Sequence, residues 1–60
     1  MTIVEGEMLK NKSTKDLFKI KRIEDKEVVM LEDERGLVRI WLPREHLGFF
    51  FEKVKGFNVP

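Results

Sequence analysis

The side chains that could support catalysis are few and widely separated in this 60-residue chain. His46 is the only His and there is no Cys, which excludes a Cys/His nucleophile pair and a His-rich metal cluster. Ser13 would need His46 as its base, and nothing in the sequence brings the two together. The four Gly are scattered, so there is no glycine-rich phosphate loop. We therefore expect a protein that is not an enzyme and that binds no cofactor.

Acidic side chains cluster in the middle of the chain, where residues 23–34 hold six Asp or Glu against one Lys. The flanking segments are basic, and the formal net charge is only +1, which is too balanced to indicate nucleic-acid or membrane binding by itself. The acidic stretches EDKE and EDER are turn-like and lack the ordered spacing and central Gly of a calcium-binding loop. We expect solvated turn residues there and no metal site.

Basic and aromatic residues share one predicted strand, Leu37–Leu42, and they are the strongest candidates for binding. Arg39 must face water, because burying an unpaired guanidinium group is costly. Alternate residues of a strand point to the same face, so Trp41 lies outside with Arg39. The inward set is then Val38, Ile40 and Leu42.

The register with the preceding strand decides which residues surround Trp41. If the loop Asp33–Gly36 has four residues, Trp41 lies opposite Val28 and Arg39 lies opposite Met30. A shift of one residue replaces these two neighbours with Val29 and Leu31. The outer face is apolar in either register.

The register with the four-residue loop also makes a prediction for the second strand. It places Ile23 in the outer row beside Lys21 and turns Arg22 inward, unless a bulge or a position at the rim of the fold intervenes. The candidate binding residues are Trp41, Arg39, Met30, Val28, Lys21 and Lys19.

The elements that position these residues are predicted to be five short strands. The first lies in EGEMLKN and ends near Asn11; the others are the alternating or apolar segments Leu17–Ile23, Val28–Leu31, Leu37–Leu42 and Phe49–Val54. Glu24–Glu27 and Asp33–Gly36 are the predicted hairpin turns, the second ending in a left-handed Gly36. In PREHLG, Pro43 begins one helical turn and Gly48 forms its left-handed exit.

Five strands in chain order, with the single helical turn PREHLG before the last, resemble the Src-homology-3-like (SH3-like) small barrels. The resemblance covers roughly residues 4–54 and leaves residues 55–60 as a C-terminal tail of one domain, residues 1–60. It implies an all-β, five-stranded antiparallel barrel. It does not imply binding of proline-rich ligands, because the chain has no Tyr and lacks the acidic and aromatic motif of the members that bind them.

The chain carries more large apolar residues than a barrel of this size can enclose, which is about ten. Its own ends are expected to cover part of the excess, either Ile3, Val4, Met8 and Leu9 or the tail residues Phe57 and Val59. A partner is the alternative. Of Phe49, Phe50 and Phe51, one is expected to face away from the core and to pack under Phe57.

Two kinds of binding remain open. In the first, the protein is an interaction module that binds a protein partner or a second copy through the surface around Trp41. In the second, Lys19, Lys21 and Arg39 neutralise phosphates while Trp41 stacks on a base of a nucleic acid. The absence of Cys and of a membrane-spanning apolar run makes cytoplasmic residence the expectation.

Overall fold

The computed structural model describes residues 1–54, which form one antiparallel sheet and a short helical segment. A 3₁₀ turn (Arg44–His46) and helix α1 (Leu47–Phe50) precede the last strand. The strands are β1 (Met8–Asn11), β2 (Leu17–Glu24), β3 (Val28–Asp33), β4 (Arg39–Pro43) and β5 (Phe51–Lys53). No helix within residues 1–54 combines the length and the apolar character that crossing a membrane requires.

The five strands lie in the order β4-β3-β2-β1-β5, and every neighbouring pair is antiparallel. Strands β1 to β4 form a meander, and β5 returns to pair with β1. The predicted all-β class, five antiparallel strands and a short helical segment before the last strand are confirmed. Within residues 1–54 the sheet does not close, so β4 and β5 are its two edges.

The turn between β2 and β3 has an unusual backbone for its sequence. Asp25 and Lys26 both adopt a positive φ, 49° and 61°, and the N–H of Glu27 donates to the carbonyl of Glu24 at 2.9 Å. Two left-handed central residues define a type I′ turn, whose twist matches that of the flanking strands. In the loop between β3 and β4, Gly36 has φ 72°, as predicted.

Strand β2 contains a bulge, which settles the direction of Arg22. The register with β3 shifts between Ile20 and Arg22, so one extra residue, Lys21, is inserted. Beyond it Arg22 pairs with Met30 on the outer face. The prediction that Ile23 belongs to the outer row is wrong, because the bulge returns Ile23 to the inner face, where it packs against the core.

The core lies on one side of the sheet and under the helical segment. Its buried members are Ile3, Leu9, Phe18, Ile20, Val29, Leu31, Leu47 and Phe51. Phe18 and Phe51 meet edge to face with their ring centroids 5.3 Å apart. Ile3 and Leu9 are therefore core residues, and they do not lie across Trp41; Phe57 and Val59 lie outside the described residues.

The helical segment differs from the prediction at its end. Gly48 is not a left-handed exit but an interior residue of α1, and the helix continues through Phe49 and Phe50, which were predicted to begin the last strand. The helix turns Leu47 fully into the core and leaves Phe49 71% and Phe50 55% exposed. Two of the three consecutive Phe face solvent within the described residues, where one was expected.

Strand β4 begins two residues later than predicted. Leu37 and Val38 belong to the loop, and Val38 is 46% exposed although an inward position was expected for it. Ile40 and Leu42 do pack against the core, as predicted. Alternation therefore assigned the inner face correctly only where β4 is paired with β3.

Candidate binding surface

The outer face of β4 presents Trp41, which is 55% exposed. Its partner across β3 is Met30, and Arg39 lies opposite Glu32. The predicted pairs, Trp41 with Val28 and Arg39 with Met30, are thus wrong by two residues. A displacement of two residues keeps every side chain on its predicted face, so Trp41, Met30 and Arg39 still share the outer side of the sheet.

A side-chain hydrogen bond accounts for the displaced register. The carboxylate Oδ1 of Asp33 accepts the N–H of Leu37 at 2.8 Å and that of Val38 at 3.1 Å, while the N–H of Asp33 donates to the carbonyl of Val38. These contacts continue the register of β3 and β4 by one hydrogen-bonded pair, Asp33 with Val38, beyond the start of β4 at Arg39. The N–H group of Val38, with that of Leu37, holds the pKa of the Asp33 carboxyl below its usual value, against a smaller opposing effect of burial.

We call the six predicted residues together the Trp41 face: Trp41, Arg39, Met30, Val28, Lys21 and Lys19. The structure brings them to one side of strands β2 to β4. Their roles in this surface differ, because Met30 is only 9% exposed. It lies between Arg22 on one side and Trp41 on the other. Met30 therefore forms the floor of the Trp41 face, and Trp41 projects from β4, the edge strand.

An acidic residue that was not predicted lies within the Trp41 face. Glu32 sits between Lys19 of β2 and Arg39 of β4, and its side chain is only 16% exposed. Its Oε2 accepts the Nε–H of Arg39 at 2.9 Å, and its Oε1 lies 3.8 Å from Nζ of Lys21. Glu32 was predicted to be a solvated residue of the turn-like stretch EDER, and the continuation of β3 to Asp33 brings it onto the sheet instead.

Most cations on this side of the sheet have a carboxylate neighbour. Arg22 contacts Glu24 at 2.7 Å, in addition to the contacts of Arg39 and Lys21 with Glu32. Among the residues that the structure describes, Lys19 is the cation of the Trp41 face that makes no ion pair. Lys21 and Arg39 share the single carboxylate of Glu32, so the Trp41 face keeps a formal charge of +2, of which only Lys19 has no carboxylate neighbour.

The backbone of β4 is paired on one side only. The N–H of Asp33 donates to Val38, and the N–H of Arg44 donates to Glu27, so the antiparallel ladder places the polar groups of Ile40 and Leu42 toward β3. The N–H and C=O groups of Arg39 and Trp41 consequently point away from the sheet. Within residues 1–54 no strand takes them up.

A second exposed aromatic group lies on the helical segment, and sequence reasoning missed it. The rings of His46 and Phe49 are 5.8 Å apart, and those of Phe49 and Phe50 are 6.4 Å apart. His46 and Phe49 are three residues apart, which places them on one side of a helix. That spacing was the signal in the sequence, but the Phe residues were assigned to a strand.

A depression lies where the end of the sheet meets the helical segment. It is lined on the sheet side by Val28 and Pro43 and on the helical side by Arg44, Glu45 and Gly48. Val28 is half-buried there. The Trp41 face thus continues past the end of β4 toward the helical segment.

Groups with catalytic or metal-binding potential do not converge. No cluster of three or more His, Cys, Asp or Glu side chains that could hold a metal ion occurs in residues 1–54. Ser13 donates its backbone N–H to Oδ1 of Asn11 in the loop after β1, while His46 is in the 3₁₀ turn. What the geometry offers is an exposed aromatic surface.

No protein-family model, curated protein or solved structure shows a significant match to this chain. Any statement about function therefore rests on the chemistry of the chain's own surface.

Proposed function

We propose that this protein is a non-catalytic binding module of SH3-like small-barrel architecture that binds a protein partner through the Trp41 face. The architecture is supported by the pairing of β1 with both β2 and β5, by the bulge at Lys21, and by the helical segment between β4 and β5. A bulge increases local bending and twist, as the closing of a small barrel requires. Cytoplasmic residence, expected from the absence of Cys, is part of the same proposal.

One observation carries the functional proposal: Trp41 is more than half exposed on a folded sheet face, above a nearly buried Met30. A Trp buries a large area at an interface and loses little conformational entropy, and Trp and Arg are the residue types most enriched at binding hot spots. Arg39 is adjacent on the same face and is held in place by Glu32. The two residues form a preorganised anchor.

The charge pattern favours a protein over a nucleic acid. Phosphate binding gains affinity when free Lys and Arg release counterions. Here Arg39, Lys21 and Arg22 are already next to carboxylates, so a phosphate would have to compete with Glu32 and Glu24. The alternative, a nucleic-acid-binding barrel, is supported by Lys19 and by a Trp41 available for base stacking.

The test is affinity capture from a lysate of the source organism with three immobilised proteins. These are the wild type, Trp41→Ala and the control Phe49→Ala, which removes a still more exposed aromatic ring outside the Trp41 face. We expect a protein partner that Phe49→Ala retains and Trp41→Ala loses. Circular dichroism should show that both variants remain folded.

Nuclease treatment and salt separate the two binding hypotheses. The capture of a protein partner should persist after nuclease treatment and should depend only weakly on ionic strength. Capture that disappears with nuclease, or oligonucleotide binding that weakens steeply between low and physiological salt, would replace the protein-binding proposal with the nucleic-acid one. If Trp41→Ala unfolds, the indole is structural and the Trp41 face is not a binding surface.

A further inference from the structure

The exposed edge of β4 is suited to pairing with a second strand. Arg39 and Trp41 point their backbone N–H and C=O groups outward, and β4 is apolar on its inner side. Natural sheets usually protect such an edge with inward charges, Pro or a covering segment. Pro43 closes only the last position of β4, and within residues 1–54 no segment covers Arg39 or Trp41.

The sequence of β4 is self-complementary in one antiparallel register. Pairing Arg39 with Arg39 of a second copy would oppose two like charges, which is unfavourable. Pairing Trp41 with Trp41 would bring Arg39 opposite Pro43, which has no N–H to donate. The intermediate register places Arg39 of each copy opposite Trp41 of the other copy. Both residues have their outward N–H and C=O groups available.

We propose that this protein forms a two-fold symmetric dimer through β4, in the register that pairs Arg39 with Trp41 of the second copy. Two antiparallel hydrogen-bonded pairs result, each exchanging two N–H···O=C bonds. The guanidinium of Arg39, fixed by Glu32, lies beside the indole of the other copy, where a cation and an aromatic ring attract each other. This pair occurs twice in the dimer.

The inner side of β4 matches in the same register. Ile40 lies opposite Ile40 on the two-fold axis, and Val38 lies opposite Leu42 of the other copy. Val38 is 46% exposed in the single chain, while Ile40 and Leu42 are partly buried. Their remaining exposed apolar surface would be covered in the dimer.

The dimer proposal goes beyond the proposed function, and either proposal can be wrong while the other holds. A two-fold axis perpendicular to the joined sheet leaves both Trp41 faces on the same side, so a partner would meet two adjacent copies of the surface. Edge pairing depends on the backbone of β4 and on the inner residue Val38, in addition to the contact between Arg39 and Trp41. Partner binding depends on the outer face alone, so a change at Val38 separates the two proposals. The interface is small, so we expect a dimer that dissociates on dilution.

The test is sedimentation equilibrium of the full chain over a wide concentration range, with the fluorescence of Trp41, the only Trp, followed in parallel. We expect a concentration-dependent approach to twice the 7.2 kDa chain mass, with a blue shift of the indole emission. A monomer at all concentrations would overturn the dimer. So would a larger assembly, which would instead indicate that β4 pairs with the β5 edge of the next copy.

A matched pair of variants locates the interface. Val38→Lys places a charge against Leu42 of the second copy and should raise the dissociation constant by about tenfold or more. The control Phe49→Lys changes an exposed apolar residue of the helical segment, outside the proposed interface, and should leave the dissociation constant nearly unchanged. Equal dissociation constants for the two variants would refute the β4 interface.

A cross-link tests the register even if a charged variant folds poorly. The chain has no Cys, so Ile40→Cys introduces a single thiol on the proposed two-fold axis. Directly opposed residues of a non-hydrogen-bonded pair lie about 4.5 Å apart at Cα, within reach of a disulfide. Mild oxidation should link Ile40→Cys rapidly and Leu37→Cys slowly. Equal cross-linking rates for the two variants would overturn the proposal. So would the finding that the chain dimerises only after truncation following Val54.

Discussion

Replacing Leu47 with Ala should be far more destabilising than replacing Phe50 with Ala, although the two residues are only three positions apart. Leu47 is fully buried, and deletion of a buried Leu side chain costs about 3–5 kcal/mol. A domain of this size has a total stability of roughly 3–9 kcal/mol. Leu47→Ala should therefore consume about half of the stability or more.

Phe50 presents the opposite case, because 55% of its surface is exposed. Less than half of the roughly 200 Å² that a Phe can bury is covered, and at about 25 cal/mol/Å² this gives an upper limit of about 2 kcal/mol. Ala is also the better helix former by about 0.5 kcal/mol. We expect a net loss of about 1 kcal/mol for Phe50→Ala.

Urea denaturation followed by circular dichroism measures both losses. With a slope of about 1 kcal/mol/M, Phe50→Ala should lower the midpoint by about 1 M, and Leu47→Ala should be close to unfolded without denaturant. A loss for Phe50→Ala as large as that for Leu47→Ala would refute the helix. Phe50 would then be a core residue of a strand that begins earlier, as the sequence pattern suggested.

Two further predictions concern the hairpin loops. Lys26→Gly should raise the free energy of unfolding by roughly 0.5–1 kcal/mol, because Gly adopts the positive φ of Lys26 without steric cost and Asp-Gly is a preferred type I′ pair; an unchanged urea midpoint would contradict the left-handed turn. The lowered pKa of Asp33 means that its carboxylate contributes stability above its usual pKa of 3.8, and that this contribution is lost as pH falls through the lower folded value. Urea titrations of wild type and Asp33→Asn should therefore show a difference in stability that is constant near neutral pH and shrinks below about pH 4, whereas a difference that grows in acid would refute the assignment.

Local sequence signals were sufficient to predict most of the sheet. Period-two alternation and turn residues predicted β2, β3 and the inner face of β4, because both signals act within a few residues. The left-handed Gly36 was predictable for the same reason. The bulge at Lys21 was foreseen only as a way to turn Arg22 outward, since its position depends on the packing of Ile23 against the core.

The predictions were wrong where tertiary contacts or side-chain hydrogen bonds determine the local structure. Aromatic residues favour strands on average, but insertion of Leu47 into the core carries the helix through Phe49 and Phe50. The register of β4 depends on the hydrogen bonds from the N–H groups of Leu37 and Val38 to Asp33, which an apolar pattern does not reveal. The same extension of β3 brought Glu32 into a face for which only apolar and basic residues had been predicted.

The position of Glu32 also bears on what the Trp41 face can bind. Because Glu32 already contacts Arg39 and Lys21, a protein that covers this face does not have to supply new carboxylates for buried cations. A partner that covers Trp41 and Met30 gains apolar contact while these ion pairs stay intact. A phosphate backbone would instead approach the carboxylate of Glu32 with its own negative charge. These ion pairs therefore support the proposed binding of a protein through Trp41 over the binding of a nucleic acid.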